Sequence, residues 1–499
     1  MLSPEIVSAD GVVRGRVGRR IARWRALPYA APPTGPLRLR APQPVRPWSG
    51  VRAATEFGFA AVQNPQGARV GPRTWQPTGE NCLTLNVTAP ATTSTTPRPV
   101  MVFFHGGGYL LGTSSMYSGA RLAARGDVIV VSVNYRLGAL GYVDFSEFST
   151  PERPFESNLG LRDQVAALEW VQRNIAAFGG DPESVTIFGE SAGAHAVVSL
   201  LATPSAVGLF HRAIAQSAPA DWTSTPEQAR RFARRCLERL GATAADAATV
   251  LSTVPAKELG RAGDRALARS LREEPGNFPF APVADGEFLP EAPLDAIAAG
   301  RAHPVPLIIG TNRDEATLFQ RFAKAIPHTP EQLTTIFERY EPGAEQLVTG
   351  SYRGYPAPRT AVRIGGDHLF LRPTLAVLEG HSAYAPTFAY RYDYAPRALH
   401  LAGFGATHAL DLVPVFGWVD GPVGRAMTAA GGRRAFLAVQ DYIQDNWLNF
   451  ARTGQPLAPW TQYTAEQRTT CIIDNPPRVL VDPDAARRAA WQGIRKCEA

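Results

Sequence analysis

The chain is 499 residues long, 45% apolar and 19% charged, enough to bury a large core and inconsistent with a disordered or fibrous protein. Its formal charge is +7, yet lysine occurs only at Lys257, Lys324 and Lys496 and the arginines are scattered among acids, so no basic tract suited to nucleic acid is present. Four cysteines, Cys82, Cys236, Cys471 and Cys497, stand far apart without CxxC or Cys/His spacing, which predicts reduced thiols and no metal. The first residues show no basic stretch leading into an apolar one, and no uncharged apolar run reaches the roughly 18 residues a membrane span needs. A soluble cytoplasmic protein is expected, in which the Asn86-Val87-Thr88 sequon has no role.

In chain order, β-rich runs at 83–87, 100–104, 128–133 and 185–188 alternate with helix-like segments, the pattern of a mostly parallel sheet covered by helices on both faces. Between the last two runs, 159–178 carries Leu161, Val165, Leu168, Trp170, Val171 and Ile175 at roughly helical spacing. The run ending at Phe188 opens directly into Gly-Glu-Ser-Ala-Gly and an Ala/Val-rich helical segment, 194–201. Further strands are predicted at 304–309 and 388–394, and a long amphipathic helix over 433–453, stopped by Gly454 and Pro456. Residues 222–275 and 315–385 read as helical insertions that roof the sheet. With no linker and no internal repeat, 1–499 is expected to be one elaborated domain.

Gly189-Glu190-Ser191-Ala192-Gly193 matches the nucleophile elbow, a sharp strand-to-helix turn that presents a serine hydroxyl at the sheet edge, and its flanks match as well. His105-Gly106-Gly107-Gly108-Tyr109 follows its own predicted strand and matches the motif that turns backbone N–H groups toward a developing oxyanion. With Gly107 and Gly108, the amide of Ala192 would complete that donor set. The chain order for such a site is Ser, then acid, then His. His408, in the Gly-punctuated loop 403–408, is favoured as the base, with His400 as runner-up. Glu315, just beyond the strand ending near Gly310, is favoured as the acid over Asp314 and Asp285. Tyr109, Phe319 and Phe404 are candidate liners of the pocket.

Taken together, these motifs resemble those of the type-B carboxylesterases, a family of α/β-hydrolases. The resemblance runs over nearly the whole chain and includes Glu80-Asn81-Cys82-Leu83, Asn134-Tyr135-Arg136-Leu137-Gly138, Asn158-Leu159-Gly160-Leu161-Arg162-Asp163-Gln164 and Phe178-Gly179-Gly180-Asp181-Pro182. It implies an α/β-hydrolase fold and hydrolysis of small carboxylic esters to acid and alcohol through an acyl-enzyme, with no metal or cofactor. It makes Ser191 the nucleophile, Glu315 the triad acid, His408 the base, and Gly107, Gly108 and Ala192 the oxyanion donors, with Glu190 and Ser217 near the histidine. Arg38 with Glu80 and Arg136 with Asp163 correspond to structural ion pairs. The cysteine that secreted relatives pair with the equivalent of Cys82 is missing, since that region reads Phe59-Ala60-Ala61-Val62-Gln63. Trp75 sits at the wrong offset from Cys82 for a choline site. The fold also serves adhesion proteins whose triad has decayed, but all three triad residues are present here, which favours an enzyme.

Overall fold

The computed structural model describes residues 2–64, 76–322 and 326–497, with no side-chain description at 321 and 322; Trp75 and Lys324 lie outside the described residues. Its framework is an eleven-stranded sheet. Across the middle run seven parallel strands, in the spatial order Thr469–Ile473, Thr387–Tyr392, Leu307–Asn312, Arg212–Gln216, Gly180–Glu190, Arg98–Phe104 and Ile129–Val133. Antiparallel strands extend both ends: Arg478–Val481 on one side, and Thr84–Pro90, Ile21–Pro28 and Arg16–Val17 on the other. A separate three-stranded sheet is formed by Glu5–Ser8, Gly11–Arg14 and Val51–Ala53.

Parallel strands covered on both faces need apolar side chains on both, and the two-residue period sorts them. Val100, Val102 and Phe104 join the core that contains Leu161, Val165 and Leu168 of the helix Leu159–Asn174 and Val197 and Leu201 of the helix Ala192–Leu201. Met101 and Phe103 join the opposite core, with Phe436, Ile443 and Trp447 of the helix Arg433–Thr453. That helix has the bounds its periodicity predicts. The predicted helix at 159–178 divides instead, its last four residues tightening into a 3₁₀ turn, Ile175–Phe178, closed by Gly179.

Helices occupy both expected insertions. Pro226–Arg239, Ala247–Thr253 and Ala256–Glu273 fall in the first. In the second, Pro330–Phe337, Ala344–Gly350 and Pro358–Gly366 form a satellite core with the helix Ala485–Gln492, centred on Leu333, Ile364 and Trp491. The expected ion pairs are formed. Arg38 grips Glu80 through two bonds of 2.7 and 2.6 Å. Arg136 grips the fully buried Asp163 at 2.8 and 2.6 Å and donates to Arg40 O, so both charges are satisfied where no water reaches. All four cysteines are free.

Candidate active site

Strand Gly180–Glu190 and helix Ala192–Leu201 are joined by Ser191 alone, at φ 57° and ψ −125°. That left-handed conformation is unfavourable for a non-glycine residue and persists only where the surroundings enforce it. Here they do, by close packing. A Cβ on Gly189 would lie 2.4 Å from the Gly193 carbonyl group, and one on Gly193 would lie 2.0 Å from Phe104 O. Strand end, turn and helix are thus pressed together in a way only glycine permits, and the Ser191 N–H is anchored to Gln216 O at 2.9 Å.

The neighbouring strand Arg98–Phe104 runs into His105 and the three glycines, which pass directly over this turn: a Cβ on Gly106 would lie 2.5 Å from Glu190 O and 3.0 Å from Ser191 Cβ. Gly107 (φ 112°) and Gly108 (φ 62°) bend the loop, and Gly107 O takes the N–H groups of Leu110 and Leu111. No hydrogen bond among the described residues engages the N–H of Gly107 or Gly108. Ala192, as first residue of its helix, has no preceding turn to receive its own N–H. His105 is not a base. It stacks on Tyr135 with centroids 4.6 Å apart, and burial pulls its pKa down to about 4, keeping it neutral.

Beyond strand Leu307–Asn312, Glu315 turns back so that its Oε1 accepts the Asn312 N–H at 2.6 Å, and its Oε2 lies 2.6 Å from His408 Nδ1. The loop carrying His408 is tied to the same strand end. Asn312 Nδ2 donates to Thr407 O at 2.7 Å, and the Ala406 N–H donates to Asp314 Oδ2 at 3.0 Å. Phe370 and Phe319 flank the imidazole with centroids 4.6 and 4.9 Å away. Its other nitrogen, Nε2, lies 3.0 Å from Glu190 Oε1 without hydrogen-bond alignment, and neither atom has another partner among the described residues. Ser191, Glu315 and His408 are all buried.

The electrostatics are unusual: three buried carboxylates, Glu190, Glu315 and Asp411, surround one imidazole. Burial pushes the Glu190 carboxyl up, and the charges of Asp411 and Glu315 add to it against the attraction of His408. Burial alone would lower the His408 pKa, but the charges of Glu190 and Glu315 override it and raise the pKa above the ordinary imidazole value.

The rivals are either exposed or already hydrogen-bonded. His400 is exposed on the short helix Arg397–Leu401. Asp285 accepts from Ser157 and Asn158, and Asp314 is bound to the Ala406 amide. Among the candidate liners, Phe319 packs on His408 and Phe404 is half-buried. Tyr109 is a correction: it is fully buried, stacked on Tyr142 at 4.0 Å with its hydroxyl 2.7 Å from His195 Nδ1, because the residue after the glycines turns into the core. Ser217, at φ 53°, donates its N–H to Gly310 O, and its buried hydroxyl has no partner among the described residues. Asp411 escapes the sequence reading altogether. It is fully buried and accepts from Gln216 Nε2 at 2.7 Å and Tyr390 OH at 3.2 Å, which are contributed by two separate strands. Its spacing of three from His408 is the one sequence signal it carries.

The profile of the carboxylesterase family matches residues 3–491. A para-nitrobenzyl esterase of Bacillus subtilis is 39% identical, with 98% of each chain covered. Liver carboxylesterase 1 of Mus musculus is 33% identical over 93% of this chain and 89% of its own. Among solved structures, a PNB esterase superposes with a TM-score of 0.85 at 36% identity, covering 98% of this chain and 99% of that one. A Geobacillus stearothermophilus carboxylesterase gives 0.85 at 34% identity, covering 98% and 100%. The sheet and its helices are an α/β-hydrolase fold. This chain belongs to the carboxylesterase family and is a serine hydrolase of carboxylic esters.

Proposed function

We propose that Ser191 is the nucleophile, His408 its general base and Glu315 the residue that holds the imidazole in the required tautomer. The observation that carries this reading is the 2.6 Å contact between His408 Nδ1 and Glu315, with Nε2 left free of hydrogen bonds among the described residues and 3.0 Å from Glu190, the residue before Ser191. His408 Nε2 takes the serine proton as Ser191 Oγ attacks the ester carbonyl. Glu315 stabilises the imidazolium so formed. The tetrahedral oxyanion is received by the amides of Gly107, Gly108 and Ala192, each such donor supplying a factor of about 10²–10³. His408 then protonates the departing alcohol, and the same base activates the water that releases the acid. Glu190 and Ser217 act behind the triad, and neither exchanges a bond with substrate. Residues 1–499 work as one unit, with 222–275 and 315–385 covering the site. Four free thiols fit a reducing cytoplasm, and no helix among the described residues is long and apolar enough to cross a membrane.

A serine-directed fluorophosphonate tests the assignment. Its mass is expected on the tryptic peptide containing Ser191, with loss of activity in step; a fully active, unlabelled protein would refute it.

The charge cluster sets the pH response. A base must be unprotonated, so kcat/KM rises with pH through the His408 pKa. Glu190→Gln removes the charge that does most to hold that imidazole protonated, and the rise is expected to move to lower pH by about 1 unit or more. A pH–rate profile with para-nitrophenyl butyrate checks it, and an unmoved acid limb would contradict the role given to Glu190.

A further inference from the structure

Tyr109 and His195 form a buried polar pair behind the glycine loop, apart from the triad. Both are fully buried, and the Tyr109 hydroxyl lies 2.7 Å from His195 Nδ1. Neither side chain makes another hydrogen bond among the described residues, and His195 Nε2 is buried without a partner. Burial pulls the His195 pKa down to about 3 and pushes the Tyr109 phenol well above its ordinary value, so both are neutral. With the hydroxyl donating to Nδ1, one N–H, at Nε2, stays unpaired. With the imidazole donating instead, both Nε2 and the phenol proton would be stranded. The first arrangement leaves less unmet, so Tyr109 is the donor and His195 the acceptor.

The backbone gives this pair its place. Tyr109 follows Gly107 and Gly108 and, at φ 58°, extends their left-handed run, a conformation that glycine adopts freely and tyrosine does not. Three contacts hold it there: the hydroxyl on His195, the ring stacked on Tyr142 at 4.0 Å, and its carbonyl, which accepts the Gly138 N–H at 2.7 Å. His195 stands one turn beyond Ser191 on helix Ala192–Leu201, and its N–H donates to Ser191 O at 2.9 Å. One residue thus grips both the nucleophile's backbone and the loop that carries Gly107 and Gly108. Among the described residues no other hydrogen bond joins 106–112 to 191–201. The close approach of Gly106 to Ser191 is steric and sets only a least separation, whereas a hydrogen bond is directional and also keeps the loop from drawing away.

We propose that Tyr109 and His195 are positioning residues for the oxyanion donors: their hydrogen bond holds the amides of Gly107 and Gly108 at working distance from the Ser191 turn. This rests on the oxyanion role given to those amides, and the test separates the two. Tyr109→Phe removes the hydroxyl and keeps the ring on Tyr142. His195→Leu and His195→Asn lose the same ring and are close in shape, but only asparagine, whose Oδ1 stands where Nδ1 does, accepts from Tyr109. With para-nitrophenyl butyrate, and active sites counted by fluorophosphonate titration, Tyr109→Phe and His195→Leu are expected to lower kcat by about tenfold or more, because a displaced donor loses its hold on the oxyanion. KM should change by less than about twofold, since an oxyanion forms in both acylation and deacylation and the two slow together. His195→Asn should recover most of the loss. Tyr109→Phe combined with His195→Leu should be no slower than the worse single variant, because both break one bond. The inhibition constant of an alkyl trifluoromethyl ketone, to which Ser191 adds to leave an oxyanion, should rise in step with the fall in kcat. Unchanged kcat in Tyr109→Phe and His195→Leu, or equal losses in His195→Leu and His195→Asn, overturns the proposal. Should the histidine variants fail to fold, Tyr109→Phe decides through kcat and the inhibition constant. A wild type that the ketone does not inhibit overturns the oxyanion reading and the positioning role with it. A wild type inhibited as expected, with Tyr109→Phe inhibited equally, overturns the positioning role alone.

Discussion

Ser191→Ala is expected to lower kcat for para-nitrophenyl butyrate by a factor of about 10⁴ or more, leaving only what oriented amides and binding supply. The substitution removes one oxygen and nothing else. The strained turn at φ 57° is enforced by the approach of Gly189 to Gly193 and of Gly193 to Phe104 O, and the Ser191 N–H still reaches Gln216 O, so the elbow has every backbone reason to persist. Chemical denaturation should therefore move by less than about 1 kcal/mol, as for a change that creates no cavity and strands no partner. Steady-state kinetics and a denaturant titration on the same preparation give both numbers. A variant retaining more than about a hundredth of wild-type kcat, with the fold intact, would remove Ser191 from the chemistry.

Glu315→Gln is expected to cost a factor of about 10³–10⁴ in kcat with little change in KM, by reversing a tautomer rather than by emptying space. Glu315 has two oxygens with two different tasks. Oε1 accepts the Asn312 N–H at 2.6 Å, and Oε2 faces His408 Nδ1 at 2.6 Å. A glutamine keeps its oxygen on the Asn312 amide, which can only donate, and so turns its NH₂ toward Nδ1. Two donors cannot face each other, so the imidazole moves its proton to Nε2, and a protonated Nε2 cannot accept from a serine. The rate should stay low across the pH range instead of recovering at high pH, which separates this loss from a shifted imidazole pKa. Near-normal kcat in Glu315→Gln would show that His408 takes its orientation from elsewhere.

How far the fold can be read from the chain depends on how each strand is buried. Arg98–Phe104 and Ile129–Val133 are dense in Val, Ile and Phe and declare themselves, with boundaries displaced by one or two residues. Arg212–Gln216 sits in the middle of the sheet yet reads Arg-Ala-Ile-Ala-Gln, with Ala213 and Ala215 fully buried in the core that helix Ala192–Leu201 also joins. Alanine carries no strand signal, so tertiary packing overrides propensity there. Ile21–Pro28 is broken by a register shift between Trp24 and Leu27, and its Arg-rich run hides the alternation. The π-turn at 367–371 has no local signature, since what holds it comes from elsewhere in the chain: Phe370 packs on His408, Tyr352 OH donates to Asp367 at 2.6 Å, and Arg487 of the C-terminal helix ties Asp367 at 2.6 Å.

What the chain's own letters determine is the local part of the site. A glycine two residues before and two after Ser191 and three glycines after a strand are short-range steric requirements, so they appear as contiguous motifs and can be read without a fold. Which histidine and which acid meet is decided only by tertiary structure. Glu315 and His408 are 93 residues apart and are joined by two loops pinned to one strand end through Asn312, while Asp411 is held by Tyr390 and by Gln216, the latter 195 residues away. Contacts of that kind depend on distances between elements. No local periodicity or residue preference encodes such distances, which exist only once the sheet has formed.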